Sequence, residues 1–382
     1  MSSKRIAVFL GDFFWSSIPY DGLELYNALS IDFDVDLLMF AKDIRLNKKF
    51  DGTEKYKFDI NVFKSVKNLK MMNNWGDLYE ISSNYSFILA PTHICAKTRY
   101  PHDFRKKIKS KMIAWDIGGS DILTSAVKFA DHFCVKGDIW KEWLIRMKHD
   151  ESKVFVTGSP HYDHYARGNT IDDSFNLTLD EFRTKYCISD SIENIILITP
   201  SNPKTHIEHF NKNVKELEKL YTSLPESASL ILKTYPSDYL YSEHEHQYSG
   251  VYKSYFFGVK QQFMWFQKKF PKIKIIESQD HFSAMKYSNA VFNMSGTHLA
   301  WETIFVDAVS YSMNHIGQAY YKHVSYLPEY VEYPDDILNV HIDNINDIVR
   351  GLGKVDKDSC SKFIMKTNAV KNIVEVVKGL CA

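Results

Sequence analysis

The chain has 382 residues, of which 45% are hydrophobic and 25% charged, and its 47 Lys and Arg balance 47 Asp and Glu. Such proportions exclude a disordered chain, a collagen and a membrane-spanning bundle, and the length corresponds to about two to three ordinary domains. A zero net charge also argues against a polycation built for duplex nucleic acid, so no nucleic-acid partner is expected.

The opening segment 4–12 (KRIAVFLGD) reads as a short buried strand closed by Gly11-Asp12, and the helical stretch 21–29 (DGLELYNAL) follows it. Similar apolar runs recur at 35–40, 85–91, 111–119, 131–135 and 153–160, each ended by Gly, Pro or Asp and separated by helix-length segments. Strands that alternate with helices predict a parallel sheet covered on both faces. The pattern lapses over 166–192 and resumes at 194–201 (NIILITPS), with strands at 229–236, 273–278, 289–293, 308–314 and 337–342. Helices are expected around 212–224 and 259–270, and a last one over about 358–380.

The expected architecture is therefore α/β: two Rossmann-like, doubly wound domains facing across a cleft, with a C-terminal helix closing the chain. Their bounds are 1–165 for an acceptor-binding domain, 166–192 for a connector, 193–357 for a nucleotide-sugar-binding domain and 358–382 for the last helix. Ligands of open α/β sheets lie beyond the carboxyl ends of the strands, which directs attention to the loops after Leu10, Trp115, Val156, Thr199, Thr234 and Met294.

The strongest local pattern is the apolar strand that runs into Ser295-Gly296-Thr297 before a helix. Hydroxyls and free amides at a helix N-terminus suit a phosphate, and Gly296 allows close backbone approach. Glu302, two helical turns on, is placed to accept ribose hydroxyls. A plain N-cap with a surface Glu fits the same residues. After the strand at 229–233, Lys233, Tyr235 and Pro236 form a loop in which Lys233 neutralises a phosphate and the Tyr235 hydroxyl donates to it. Asp116, after the strand 111–115 and before two glycines, suits a general base, or else caps the next turn. Asp12 and Asp21, read as parts of the first loop, compete for the same role.

Other patterns are negative. Phe13, Phe14 and Trp15 fill positions where a dinucleotide loop needs small residues. Cys95, Cys134, Cys187, Cys360 and Cys381 form no Cys-x-x-Cys pair, and no metal site is expected. Dispersed cysteines and the lack of an 18-residue apolar run point to a cytoplasmic location, with peripheral contact at the inner face of a membrane left open by the basic run 105–111 (RKKIKSK). Read alone, that run is a solvated helix face. Phe263, Phe266 and Phe270 have helical spacing and read as core.

Taken in order from about 110 to 325, these segments resemble the GT-B glycosyltransferase superfamily, in particular the branch of CDP-glycerol glycerophosphotransferases and capsular polysaccharide (Kdo-type) transferases. The matching pieces are Ala114-Trp115-Asp116 with Gly118-Gly119, Thr157-Gly158-Ser159-Pro160-His161-Tyr162-Asp163, Lys233-Thr234-Tyr235-Pro236, Asn293-Met294-Ser295-Gly296-Thr297, and His315 to Tyr321, which contains Gln318 and resembles the last cleft loop. Two positions depart from that pattern, since Asp116 and Tyr235 stand where the family has histidines. The resemblance implies a glycosyltransferase that moves a sugar from a nucleotide-activated donor to a glycan or lipid-linked glycan. Lys233, Tyr235, Pro236, Ser295, Gly296, Thr297, Glu302 and Gln318 would bind the donor, without a cofactor or a metal. The alternatives are a UDP-sugar 2-epimerase-like isomerase, a polyol-phosphate transferase and a non-catalytic glycan-binding subunit.

Overall fold

The computed structural model describes residues 4–10, 18–40, 60–92, 101–116, 128–168, 177–199, 207–233, 264–276, 280–294, 302–313, 340–351 and 368–382. The chain forms two compact units, residues 1–171 with 361–382, and residues 172–360.

In the first unit the strands are β1 (Arg5–Phe9), β2 (Asp34–Phe40), β3 (Leu69–Met72), β4 (Phe87–Pro91), β5 (Lys111–Trp115), β6 (His132–Val135) and β7 (Val154–Val156). Its helices are α1 (Ile18–Leu29), α2 (Trp75–Ser82), α3 (Phe104–Lys107), α4 (Asp138–Arg146) and α5 (Pro160–Ala166). The strands form one parallel sheet in the order β3-β2-β1-β4-β5-β6-β7. The chain thus winds outward from β1 to one edge, returns to the other side of β1, and winds outward again. Ile6, Val8, Leu37, Leu89, Ile113 and Trp115 are buried on the face that α1 covers, together with Leu25 and Leu29 of that helix. On Phe9 and Phe40 a second aromatic cluster builds up, with Trp75 4.9 Å from Phe40 and Phe104 5.3 Å from Trp75, edge to face. Core filling accounts for these aromatics.

The second unit repeats the scheme with α6 (Leu179–Lys185), β8 (Asn194–Thr199), α7 (Ile207–Ser223), β9 (Ala228–Lys233), β10 (Lys274–Ile276), α8 (His281–Lys286), β11 (Ala290–Asn293), β12 (Val309–Met313), β13 (Val340–Ile342) and α9 (Asn346–Arg350). The parallel order is β10-β9-β8-β11-β12-β13. Both sheets are doubly wound, as the alternating sequence pattern leads one to expect. Phe266 and Phe270 are core residues beside Leu217 and Leu220 of α7, in line with their helical spacing, whereas Phe263 lies outside the described residues.

The last helix, α10 (Ala369–Cys381), belongs to the first unit. Its apolar stripe Ala369, Ile373, Val374 and Val377 is buried, and it packs with α1 and α5. Asp163 of α5 holds its start: the two carboxylate oxygens accept the backbone N–H groups of Ala369 and Val370 at 2.9 and 3.0 Å. A side-chain acceptor at these otherwise unpaired amides is what a helix N-terminus requires.

The basic run 105–111 is not one helix face. Helix α3 stops at Lys107, Ile108 is extended and buried, and Lys111 already starts β5. Arg105 pairs with Asp131 at 2.9 Å and Lys107 with Asp103, so acidic partners engage part of that charge. No helix among the described residues is long and apolar enough to cross a membrane.

Candidate functional site

In a doubly wound sheet the ligand crevice opens where the strand order reverses, beyond the carboxyl ends of the two strands concerned. The second unit reverses between β8 and β11. β8 after its exposed first residue, Asn194, and β11 from its start are apolar until the last residue, and both end on a polar one, Thr199 and Asn293, each buried. Thr199 Oγ1 donates to Asn293 Oδ1 at 3.2 Å, and Asn213 of α7 donates from Nδ2 to the Met294 carbonyl at 2.7 Å. The Met294 N–H in turn donates to the Thr199 carbonyl at 3.1 Å. Three buried polar side chains thereby fix the backbone that leads into Ser295-Gly296-Thr297. Buried polar groups are retained only when they are paired, so this network specifies the geometry of the strand ends.

Lys233 ends β9, the strand beside β8, and is half-buried. Glu302 is 7% exposed, not a surface residue, and its Oε2 lies 3.3 Å from His281 Nε2 at the start of α8. The alternative of a surface Glu at this position therefore does not hold. Tyr235, Pro236, Ser295, Gly296, Thr297 and Gln318 lie outside the described residues, as does Asp12.

In the first unit Asp116 directly follows β5 and Lys136 directly follows β6. Both side chains are fully buried, with Nζ 3.6 Å from Oδ1, and the ammonium also sits 4.4 Å from the centre of the Trp140 ring. The Asp116 carbonyl accepts the Ser159 hydroxyl at 2.7 Å. Lys136 was missed in the sequence; a lysine directly behind the apolar run of β6 is the signal that marks it.

Asp21 is not part of the first loop but lies in the first turn of α1, fully buried. Its Oδ1 is 3.7 Å from His164 Nε2, and Glu24 Oε2 is equally far from that nitrogen. Arg167 approaches His164 Nδ1 at 3.0 Å and Glu24 at 3.0 Å. Because a guanidinium only donates, Nδ1 must accept, and the proton of a neutral His164 sits on Nε2 facing the two carboxylates. Among the described residues no group of three or more His, Cys, Asp or Glu is arranged to hold a metal ion.

The Thr157-to-Asp163 motif turns out to be a fastening. Gly158 takes the left-handed φ of 86°, Ser159 holds Asp116, Pro160 opens α5, and Asp163 caps α10. The Thr157 carbonyl accepts from Asn372 of α10 at 3.0 Å. One short segment thus ties the backbone at the end of β5 to the last helix.

No family model matches the chain, and no curated protein matches it in sequence. Solved structures do match, over the whole length. The UDP-GlcNAc 2-epimerase of Methanocaldococcus jannaschii has a TM-score of 0.61 at 14% identity, covering 99% of each chain. That of Neisseria meningitidis, bound to UDP-GlcNAc, has 0.60 at 13%, covering 98% of this chain and 100% of its own. A glycosyltransferase from Rickettsia africae has 0.55 at 13%, covering 100% of this chain and 98% of its own. The fold is GT-B. At these identities the likeness is one of fold, and it does not single out the CDP-glycerol or Kdo-type branch.

Proposed function

We propose that the protein is a GT-B glycosyltransferase that moves a sugar from a nucleotide-activated donor to a surface-glycan acceptor such as a capsule or lipopolysaccharide chain. The observation that carries the nucleotide part is the buried Thr199–Asn293–Asn213 network at the strand-order reversal of the second unit, directly before Ser295-Gly296-Thr297. In this reading the turn and Lys233, with Tyr235, Pro236 and Gln318, receive the donor phosphate, and Glu302 takes the ribose. Positive ends of backbone amides together with a lysine balance a leaving phosphate, so no divalent metal is needed. Full-length folds shared with enzymes named for UDP-GlcNAc and with a glycosyltransferase support a nucleotide-sugar as co-substrate. The transfer step itself draws on the collinear resemblance of 110–325 to capsular transferases.

On the acceptor side we assign the general base to Asp116, with Asp21 and Asp12 as its competitors. A 2-epimerase is the second reading, favoured by the 99% mutual coverage with the Methanocaldococcus jannaschii enzyme. Incubation with UDP-GlcNAc and other nucleotide-sugars, followed by NMR with and without glycan acceptors, separates the two. Nucleotide release that depends on acceptor supports transfer. Conversion of the sugar at C2 without an acceptor contradicts it and establishes the epimerase.

A further inference from the structure

The segment 264–274 (MWFQKKFPKIK) leads into β10, the edge strand of the second sheet, and is helical over 264–269. Phe266 and Phe270 are buried and pack with Leu217 and Leu220 of α7. What remains outside combines apolar and cationic side chains. Met264 is 58% exposed and Trp265 38%, and Lys268 and Lys272 are exposed beside them in the chain. The segment contains four lysines, no arginine and no acidic residue. Lys269 pairs with Glu218 of α7 and lies 5.0 Å from the centre of the Trp265 ring, whereas among the described residues no carboxylate pairs with Lys268, Lys272 or Lys274.

We infer that this patch docks on an anionic lipid bilayer, with Trp265 and Met264 entering the headgroup layer and the lysines meeting lipid phosphates. The inference is independent of the nucleotide reading. An exposed indole has an apolar body and one N–H, which suits the boundary between water and hydrocarbon. Lysine stems lie along apolar surface while their ammonium heads stay in water, so the same side chains can flank the indole and reach the phosphates. The choice of cation favours a bilayer over a protein partner. Protein interfaces are enriched in arginine, which makes planar, bidentate contacts, and depleted in lysine. A field of lipid headgroups asks only for point charge near the surface. In the basic run 105–111 of the first unit, by contrast, Asp131 and Asp103 already engage Arg105 and Lys107.

The test is co-sedimentation of the full chain with vesicles of phosphatidylcholine alone and of equal parts phosphatidylcholine and phosphatidylglycerol. It uses wild type, the double variant Lys268→Gln with Lys272→Gln, and Trp265→Phe. Wild type should bind the mixed vesicles, release them as salt is raised, and leave phosphatidylcholine unbound. Removing the two exposed ammoniums should weaken binding by about fivefold per lysine. Trp265→Phe keeps a ring against Phe266 and Phe270, 5.2 and 6.2 Å away, and should remove most of the quenching of tryptophan fluorescence by brominated lipid. Melting temperatures near wild type show that both variants are folded. Binding that survives the lysine substitutions, or that falls instead in Lys106→Gln with Lys109→Gln, would overturn the inference, as would failure to bind the mixed vesicles. Self-association in sedimentation velocity without vesicle binding would assign the patch to a protein contact and overturn it likewise.

Discussion

Lys136 and Asp116 form a fully buried ion pair at the adjacent carboxyl ends of β6 and β5, 3.6 Å apart. Neither charge tolerates loss of the other, because a lone buried charge is far more costly than a paired one. Lys136→Met should lower stability by about 3 to 5 kcal/mol in urea unfolding. Replacing both, as Asp116→Leu with Lys136→Met, should restore most of it, and a double variant no better than the single would mean that the pair is not the source.

The same site carries the proposed base. Asp116→Asn removes the base but also leaves the buried Lys136 charge unpaired, so its folding is checked by urea unfolding, and in the folded variant turnover should fall by about 10² to 10⁴ while donor binding stays near wild type. Full activity in that variant, with loss in Asp21→Asn or Asp12→Asn, would move the base to the α1 side and leave Asp116 to Lys136 as a structural pair.

Asp163 is expected to matter for the last helix more than for any ligand. Asp163→Ala removes the acceptor of two helix-start amides and should cost about 1 to 2 kcal/mol. Hydrogen exchange is the readout. Faster exchange confined to α10 and its neighbours fits the capping role, and unchanged exchange there contradicts it.

Acid stability has a separate source. Asp36 is fully buried and pairs with Lys70 at 2.8 Å and Arg5 at 3.1 Å, while the Tyr85 hydroxyl donates to it at 2.6 Å. Burial works against its charge, but the hydrogen bonds from Lys70 and Tyr85 and the charges of Lys70 and Arg5 outweigh it and hold the carboxyl below its ordinary value. A depressed folded value means stability that is present above the unfolded value of about 3.9 and is lost as pH falls through the lower one. Between pH 5 and 2 the wild type should therefore lose stability more steeply than Asp36→Asn. Parallel acid limbs would assign the loss elsewhere.

Cysteine chemistry should separate two thiols. Burial pushes the Cys134 thiol up to about 12 despite a hydrogen bond with Thr157, whereas Cys187 is exposed. Iodoacetamide at pH 8 should label the Cys187 peptide and spare that of Cys134 until the chain unfolds. Prompt labelling of Cys134 in the native protein would contradict its burial.

Most of the strand framework is legible in the sequence because strands buried on both faces, such as β1, β4 and β8, must be nearly continuous apolar runs. The strand β3 escaped notice for the converse reason. It is an edge strand, Leu69-Lys70-Met71-Met72, of which only Met72 is buried, and so it shows no apolar run. The allegiance of the last helix was equally hidden, since a contact between Asp163 and Ala369 leaves no local trace. For the site, the residue types at the strand ends were readable, and Asp116 was among them. Their partners were not: Lys136, His164, His281 and Asn213 acquire meaning only when distant segments meet. Asp21 reads as a first-loop residue although the expected helix already begins there, and α1 in fact starts three residues earlier, at Ile18.

The nucleotide site in the second unit is tested most directly by the thermal stability of the full chain against UDP, GDP, CMP, CDP and dTDP. A ligand that binds only the folded state raises the melting temperature by mass action, by about 2.7 kcal/mol of stability at a hundredfold excess over its dissociation constant. At least one of these nucleotides should raise it, and Asn213→Ala or Glu302→Ala should reduce the rise. Melting temperatures unmoved by all five nucleotides would contradict the account.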